Sequence, residues 1–356
     1  MIHIGFHRRI CPDSLAFSAA ITTALWLAAL SQSGAAEDKA PAKYIDVPAE
    51  LTVDFEPAPQ EDKVPERFRL EPHEFDADAA MLRKSGPVRV FRVTFPSPVA
   101  TDVPENNTVH AEYFQPEGPG PFPGCVVLHI LGGEFPLSQM TANALARKGV
   151  AALFIKMPFY GERRSPNSPR RMIARDPRET VANMTQAVLD IRRGAAWLSS
   201  RPEVDKTNLG VTGISLGGIM SALSAAGEPR FQNVAIYLGG GQLAEILWEM
   251  ERPEAGDFRA QWIKNGGSRE SFLELVSPVD PAKYGHLLKS RRVLMVNALH
   301  DEIIPKESTL ALWESIDQPE IVWLDAGHIT AAAFLYGETE RLCQFFTAPP
   351  IPEEKP

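Results

Sequence analysis

Residues 209–218 read Leu209-Gly-Val-Thr-Gly-Ile-Ser215-Leu-Gly-Gly218. Leu209 to Ile214 is a short apolar run of the kind that a strand covered on both faces needs, and Leu216 to Ala226 carries a helical pattern. Between them Gly213-Ile-Ser215-Leu-Gly217 sets a serine on a sharp strand-to-helix turn. The flanking glycines fit such a turn because a Cβ there would collide with neighbouring backbone. The N-terminus of the following helix favours negative charge developing above the serine. A strand feeding a helix in this way belongs to an alternating chain, and so to a parallel sheet with helices on its faces.

The alternation continues outward from this stretch in both directions. Upstream, Cys125 to Ile130 and Val150 to Met157 are continuous apolar strands, each followed by a helical pattern (Ser138 to Lys148, Arg178 to Ser199). Before them, Val88 to Phe95 and Val109 to Phe114 alternate apolar and polar residues as an antiparallel hairpin would. Downstream come strand Val234 to Leu238, strand Arg292 to Asn297, helix Lys306 to Ile316, strand Glu320 to Leu324 and helix Ile329 to Phe346. The rhythm breaks over residues 240–290, where helical patterns sit among loops and bring Trp248, Phe258, Trp262 and Phe272. The expected fold is α/β: a mostly parallel sheet of eight strands with helices on both faces and a helical cap inserted at 240–290.

The 356 residues are 44% apolar and 23% charged, an ordinary composition for a folded protein and not one of disorder or of a many-span membrane protein. The net charge of −9, with no stripe of Lys and Arg, argues against nucleic acid as a partner. Residues 1–36 read as an export signal: a basic start at Arg8 and Arg9, an uncharged run from Leu15 to Leu30, and small residues ending at Ala36. The run is shorter than the roughly 20 residues that span a bilayer, so cleavage near Ala36 is expected over anchoring, and the mature chain is expected to be secreted or periplasmic, with no stable membrane span. Proline, at 31 residues, is in excess, and many of these fall in 37–87, which reads as an acidic, extended arm before a catalytic domain at 88–350. Cys11 leaves with the signal, and Cys125 and Cys343 read as buried free thiols. No Cys/His spacing of a metal site occurs, so neither metal nor cofactor is expected.

A serine hydroxyl attacks only when a base takes its proton, and that base needs a carboxylate to fix its tautomer. His328, in Leu324-Asp-Ala-Gly-His328, and Asp301, in Val296-Asn-Ala-Leu-His-Asp301, each follow a strand at the edge where α/β sheets bind ligands. Ser215, Asp301, His328 is thus the expected triad, with Glu302 or Asp280 as alternative acids and His286 and His300 as structural residues. Stabilising an oxyanion needs two N–H donors. One is expected from Leu216 and the other from the loop His129-Ile-Leu131-Gly-Gly133, with Leu131 preferred over Ile130 and His129 bracing the loop.

With these motifs in place, the chain from about Val88 to Phe346 resembles the α/β-hydrolase superfamily, in the branch of dienelactone-hydrolase-like esterases, acetylxylan esterases and prolyl-oligopeptidase-type enzymes. The resemblance rests on Val126-Val-Leu-His-Ile-Leu-Gly-Gly133, Met157-Pro-Phe-Tyr-Gly-Glu-Arg163, Trp197-Leu-Ser-Ser-Arg-Pro-Glu-Val-Asp205 and Gly213-Ile-Ser-Leu-Gly-Gly218, with Asn297-Ala-Leu-His-Asp301 and Asp325-Ala-Gly-His328. It implies hydrolysis of a carboxylic ester, on a small-molecule or sugar ester substrate, through an acyl-enzyme. Serine at 215 departs from the cysteine of dienelactone hydrolases proper, so lactone chemistry is not implied. A peptidase with the same triad, or a catalytically silent fold that binds, are the competing readings. Tyr160 is expected at the pocket, either bonding substrate or packing there. Residues 161–178 hold six arginines against two acids, either as a solvated loop or, through Arg163 or Arg164, as a site for an anionic substrate.

Overall fold

The computed structural model describes residues 44–133, 135–166, 168–249 and 253–349, the side chains of 253–257 and 335 apart. The export segment expected over 1–36, with Cys11, lies outside them. The strands are β1 (Glu50–Phe55), β2 (His73–Ser85), β3 (Val88–Pro96), β4 (Thr108–Gln115), β5 (Phe122–Leu128), β6 (Ala151–Lys156), β7 (Val204–Ile214), β8 (Phe231–Tyr237), β9 (Arg292–Ala298) and β10 (Glu320–Leu324). The helices are α1 (Phe135–Arg147), α2 (Pro177–Ser199), α3 (Leu216–Gly227), α4 (Leu243–Glu249), α5 (Pro253–Lys264), α6 (Arg269–Val276), α7 (Lys306–Ser315) and α8 (Leu335–Thr347). No helix among the described residues is long and apolar enough to cross a membrane.

All ten strands form one sheet in the order β1-β2-β3-β4-β6-β5-β7-β8-β9-β10. Pairing is antiparallel from β1 through β4 to β6 and parallel from β6 to β10. The eight strands expected from Val88 onward are β3 to β10. The two more are a correction, because the segment read as an arm supplies β1 and β2. In β1, Val53 and Phe55 are buried between exposed neighbours, and in β2, Phe75 and Ala77 are buried between Glu74, Asp76 and Asp78. That period of two is a half-buried strand's signature, and Pro57, Pro59, Pro65 and Pro72 all fall in the connection between the two strands.

The period of two also sorts the core. On β5, Val126 and Leu128 face the core shared with α2 and α3, while Cys125 and Val127 face the one shared with α1 and α8. Both β5 faces are covered, which explains its unbroken apolar run. Cys125 and Cys343 are free and buried, as expected.

After β5 the chain moves to β6 on one side, and after β6 it crosses to β7 on the other side of β5. Helices that leave β5 and β7 in opposite directions open a crevice at the carboxyl ends of these two strands. The loops after β5, β7, β9 and β10 all emerge at that edge, because these strands run parallel. The segment 240–290 is helical, as expected, in α4, α5 and α6 and the 3₁₀ turns Ser277–Val279 and Pro281–Leu288.

Candidate active site

Ser215 sits between β7 and α3 with φ +57° and ψ −117°. A residue other than glycine held in such a region stores strain on the order of 1–3 kcal/mol, which the surroundings must overcome. The Ser215 N–H donates to the Tyr237 carbonyl at 2.9 Å and pins the turn to β8. A Cβ on Gly213 would lie 2.5 Å from the Gly217 carbonyl oxygen, and one on Gly217 would lie 2.6 Å from that of Leu128. The glycines are therefore imposed by close backbone approach, as the sequence predicts.

The loops after β9 and β10 bring Asp301 and His328 to the same place. The Ser215 hydroxyl donates to His328 Nε2 at 2.9 Å, and the His328 Nδ1–H donates to Asp301 Oδ2 at 2.8 Å, with Oδ1 at 3.0 Å. Asp301 Oδ1 also accepts the backbone N–H groups of Ile303 at 2.9 Å and Ile304 at 2.7 Å, which fix the carboxylate plane. The side chains of His328 and Asp301 are only 7% and 3% exposed, so water competes little for these bonds.

The alternative acids have other partners. Glu302 Oε2 accepts the backbone N–H of His328 at 2.8 Å, which holds its carboxyl below the usual range and anchors the histidine loop. Asp280 accepts the N–H groups of Gln242, Leu243 and Ala282, and so ties the start of α4 to a 3₁₀ turn. His300 pairs with Asp325 at 3.0 Å on the surface, and His286 is exposed.

Leu216 opens α3, where the first N–H groups have no partner within the helix. Leu131 borders the same cavities as Ser215. The Met157 N–H donates to His129 Nε2 at 3.1 Å, so the ring proton lies on Nδ1 and donates to the Ile130 carbonyl at 2.8 Å. The Gly133 N–H donates to the same oxygen at 3.0 Å. In a trans peptide the C=O and N–H point in opposite directions, so two donors on the Ile130 carbonyl fix where the Leu131 N–H is aimed. Burial drives the His129 pKa down to about 4, helped by Arg163 and Lys156, and keeps the ring neutral. The brace expected of His129 is a bonded one.

Two expected substrate residues are corrected. Tyr160 does not line either cavity at Ser215; its hydroxyl donates to the Leu131 carbonyl at 2.6 Å and its ring packs edge-on against His129 with centroids 4.4 Å apart. A Cβ on Gly133, at φ +66°, would meet that ring at 2.7 Å. Arg163 is fully buried, paired with Asp190 of α2 at 2.8 Å and bonded to the Asn106 and Lys156 carbonyls, so it cannot meet an anion. Its turn, Gly161–Arg163, points the guanidinium inward, where a carboxylate and backbone carbonyls satisfy it. The arginines of that loop that border a cavity at Ser215 are Arg171 and Arg175, which the sequence did not single out.

Two cavities meet at Ser215. One, of about 730 Å³, contains His328, Tyr237, Glu249, Glu302 and Glu338; the other, of about 510 Å³, contains Leu216, Ile219, Leu247, Phe258 and Phe272. Ser215, Leu131, Ile246 and Ile303 border both. Of the four cap aromatics, Phe258 and Phe272 reach the cavity wall, while Trp248 and Trp262 pack behind them.

Residues 109–258 match the dienelactone hydrolase family. An uncharacterized protein of Mycobacterium tuberculosis is 27% identical over 221 residues, 59% of this chain and 50% of its own length. The 2,6-dihydropseudooxynicotine hydrolase of Paenarthrobacter nicotinovorans is 30% identical over 202 residues, 53% of this chain and 47% of its own. The chain spans about half the length of the curated relatives it matches. Among solved structures, acetyl xylan esterase 1 from Thermoanaerobacterium superposes with a TM-score of 0.60 at 18% identity, over 81% of this chain and 91% of that one.

Proposed function

The chain has the α/β-hydrolase fold and, over residues 109–258, a dienelactone-hydrolase-family sequence, and on that premise we propose that it is a serine hydrolase of carboxylic esters. The observation that carries this reading is the hydrogen-bonded run from the Ser215 hydroxyl through His328 to Asp301. Ser215 Oγ attacks the ester carbonyl while its proton passes to His328 Nε2. Asp301 holds the imidazole in the tautomer that can accept it and stabilises the imidazolium. The tetrahedral oxyanion is met by the N–H groups of Leu216 and Leu131, with the N-terminus of α3 behind them.

Collapse of this intermediate breaks the bond to the alcohol oxygen, which takes the proton back from His328. Water, deprotonated by the same nitrogen, then attacks the acyl carbonyl; the bond to Ser215 Oγ breaks, Oγ takes the proton from His328, and the acid is released. A small-molecule or sugar ester fits a pocket walled by the 240–290 cap. We also assign the protein to the secreted or periplasmic space, on the pattern of residues 1–36; the N-terminus of protein recovered from its cells should then lie just after Ala36.

Hydrolysis of p-nitrophenyl acetate tests the reaction. Asp301→Asn should lower kcat by about 10⁴ through the wrong tautomer, with KM little changed. An Asp301→Asn enzyme as fast as the parent would remove the triad.

A further inference from the structure

We propose that the two cavities meeting at Ser215 divide the substrate, the acyl group entering the cavity beside Leu216 and the leaving alcohol the cavity beside His328. The assignment rests on the serine-esterase reading and goes on to fix specificity. The proton that His328 takes from Ser215 must be returned to the leaving oxygen, so that oxygen has to lie within reach of His328 Nε2. His328 borders only the larger cavity and Leu216 only the smaller one. With the leaving oxygen toward His328 and the oxyanion at the Leu216 and Leu131 N–H groups, the third substituent of the carbonyl carbon is left the smaller cavity.

The chemistry of the walls then names the classes. The acyl side is built from Ile173, Ile219, Leu247, Phe258 and Phe272, with Thr180 and the two arginines as its polar residues. Its volume of about 510 Å³ is that of a small-molecule pocket, roughly 300–1,000 Å³, so it takes an apolar acyl group well beyond acetyl, an octanoyl chain or an aromatic acid. The alcohol side carries Glu249, paired with Arg269, Glu338, paired with Arg341, and Glu302, which holds the His328 N–H; with their charges largely met, their oxygens serve as acceptors and suit a neutral polyhydroxylated alcohol.

Ala174 borders only the acyl side and Ala332 only the alcohol side. The test measures kcat/KM for p-nitrophenyl esters from acetate to octanoate, and for acetates of alcohols from methanol to benzyl alcohol, in the parent, Ala174→Phe and Ala332→Trp. The parent and Ala332→Trp should favour octanoate over acetate by at least about tenfold, because each buried methylene strengthens transition-state binding. Ala174→Phe should lose that preference, its kcat/KM falling far more on octanoate than on acetate, and Ala332→Trp should narrow the range of alcohols accepted. Leu247→Trp fills the same acyl cavity and replaces Ala174→Phe if that variant does not fold. A reversed pattern, or no chain-length preference in the parent, overturns the assignment. Parallel labelling with a small fluorophosphonate separates the two failures: a labelled Ser215 with a reversed pattern defeats only the cavity assignment, and an unlabelled Ser215 defeats the esterase reading and the assignment with it.

Discussion

The Tyr160 hydroxyl donates to the carbonyl oxygen of Leu131 at 2.6 Å, so a residue beyond β6 holds the loop that follows β5. One peptide earlier, His129 and Gly133 hold the Ile130 carbonyl. The Ile130 carbonyl is thus held from within the loop and the Leu131 carbonyl from outside it, and in the proposed mechanism the Leu131 N–H meets the oxyanion.

Removing the tyrosine hydroxyl leaves the Leu131 carbonyl short of its donor. Tyr160→Phe should cost about 1–2 kcal/mol of stability and lower kcat roughly tenfold with KM nearly constant, because the aim of the Leu131 N–H matters only once the oxyanion forms. If Tyr160 bonded the substrate instead, KM would rise and stability would hold. Steady-state kinetics beside urea unfolding tells the two apart.

The neutral, buried state of His129 makes stability depend on pH. Its pKa falls from 6.5 to about 4 on folding, so between these values the unfolded chain binds a proton that the folded one refuses. The contribution is full above pH 6.5 and is lost as the pH drops toward 4, by an amount on the order of 3 kcal/mol. His129→Asn should be less stable at neutral pH and should lose less than the parent between pH 7 and pH 4. Parallel unfolding curves at both pH values for the two proteins would contradict this.

The arginine-rich loop divides into structural and accessible members. Arg163→Ala strands Asp190 as a buried, unpaired carboxylate and should cost about 3–5 kcal/mol, with no change in preference between neutral and carboxylated esters. Arg175 is exposed at the rim of the Leu216-side cavity, so Arg175→Ala should leave stability within about 0.5 kcal/mol. It should lower kcat/KM a few-fold for acyl groups ending in a carboxylate, an effect that fades with salt. Competition between succinate half-esters and butyrate esters at low and high ionic strength measures it, and equal loss on both substrates would show that charge is not the cause.

The strands, the serine turn and the loops carrying Asp301 and His328 were legible because each is a local pattern: an apolar run, glycines around a serine, a polar residue just past a strand. Strands β1 and β2 were obscured by composition. Prolines that lie between them and acids that face solvent gave the segment the look of a linker, although Val53, Phe55, Phe75 and Ala77 already alternate. Arg163 could not be read from its neighbours, because its carboxylate partner Asp190 is set opposite it only when α2 packs on the sheet. Which arginines border the cavity, and that two cavities meet at Ser215, likewise depend on where the cap helices settle.

Ser215, driven by His328, is the proposed nucleophile. Incubation with a small fluorophosphonate followed by intact-protein and peptide mass spectrometry tests it most directly. One phosphonate per chain is expected, on the peptide containing Ser215, abolished by Ser215→Ala and slowed by orders of magnitude in His328→Ala. Folded protein that takes up no label at Ser215, or that is labelled equally well after Ser215→Ala, would contradict it.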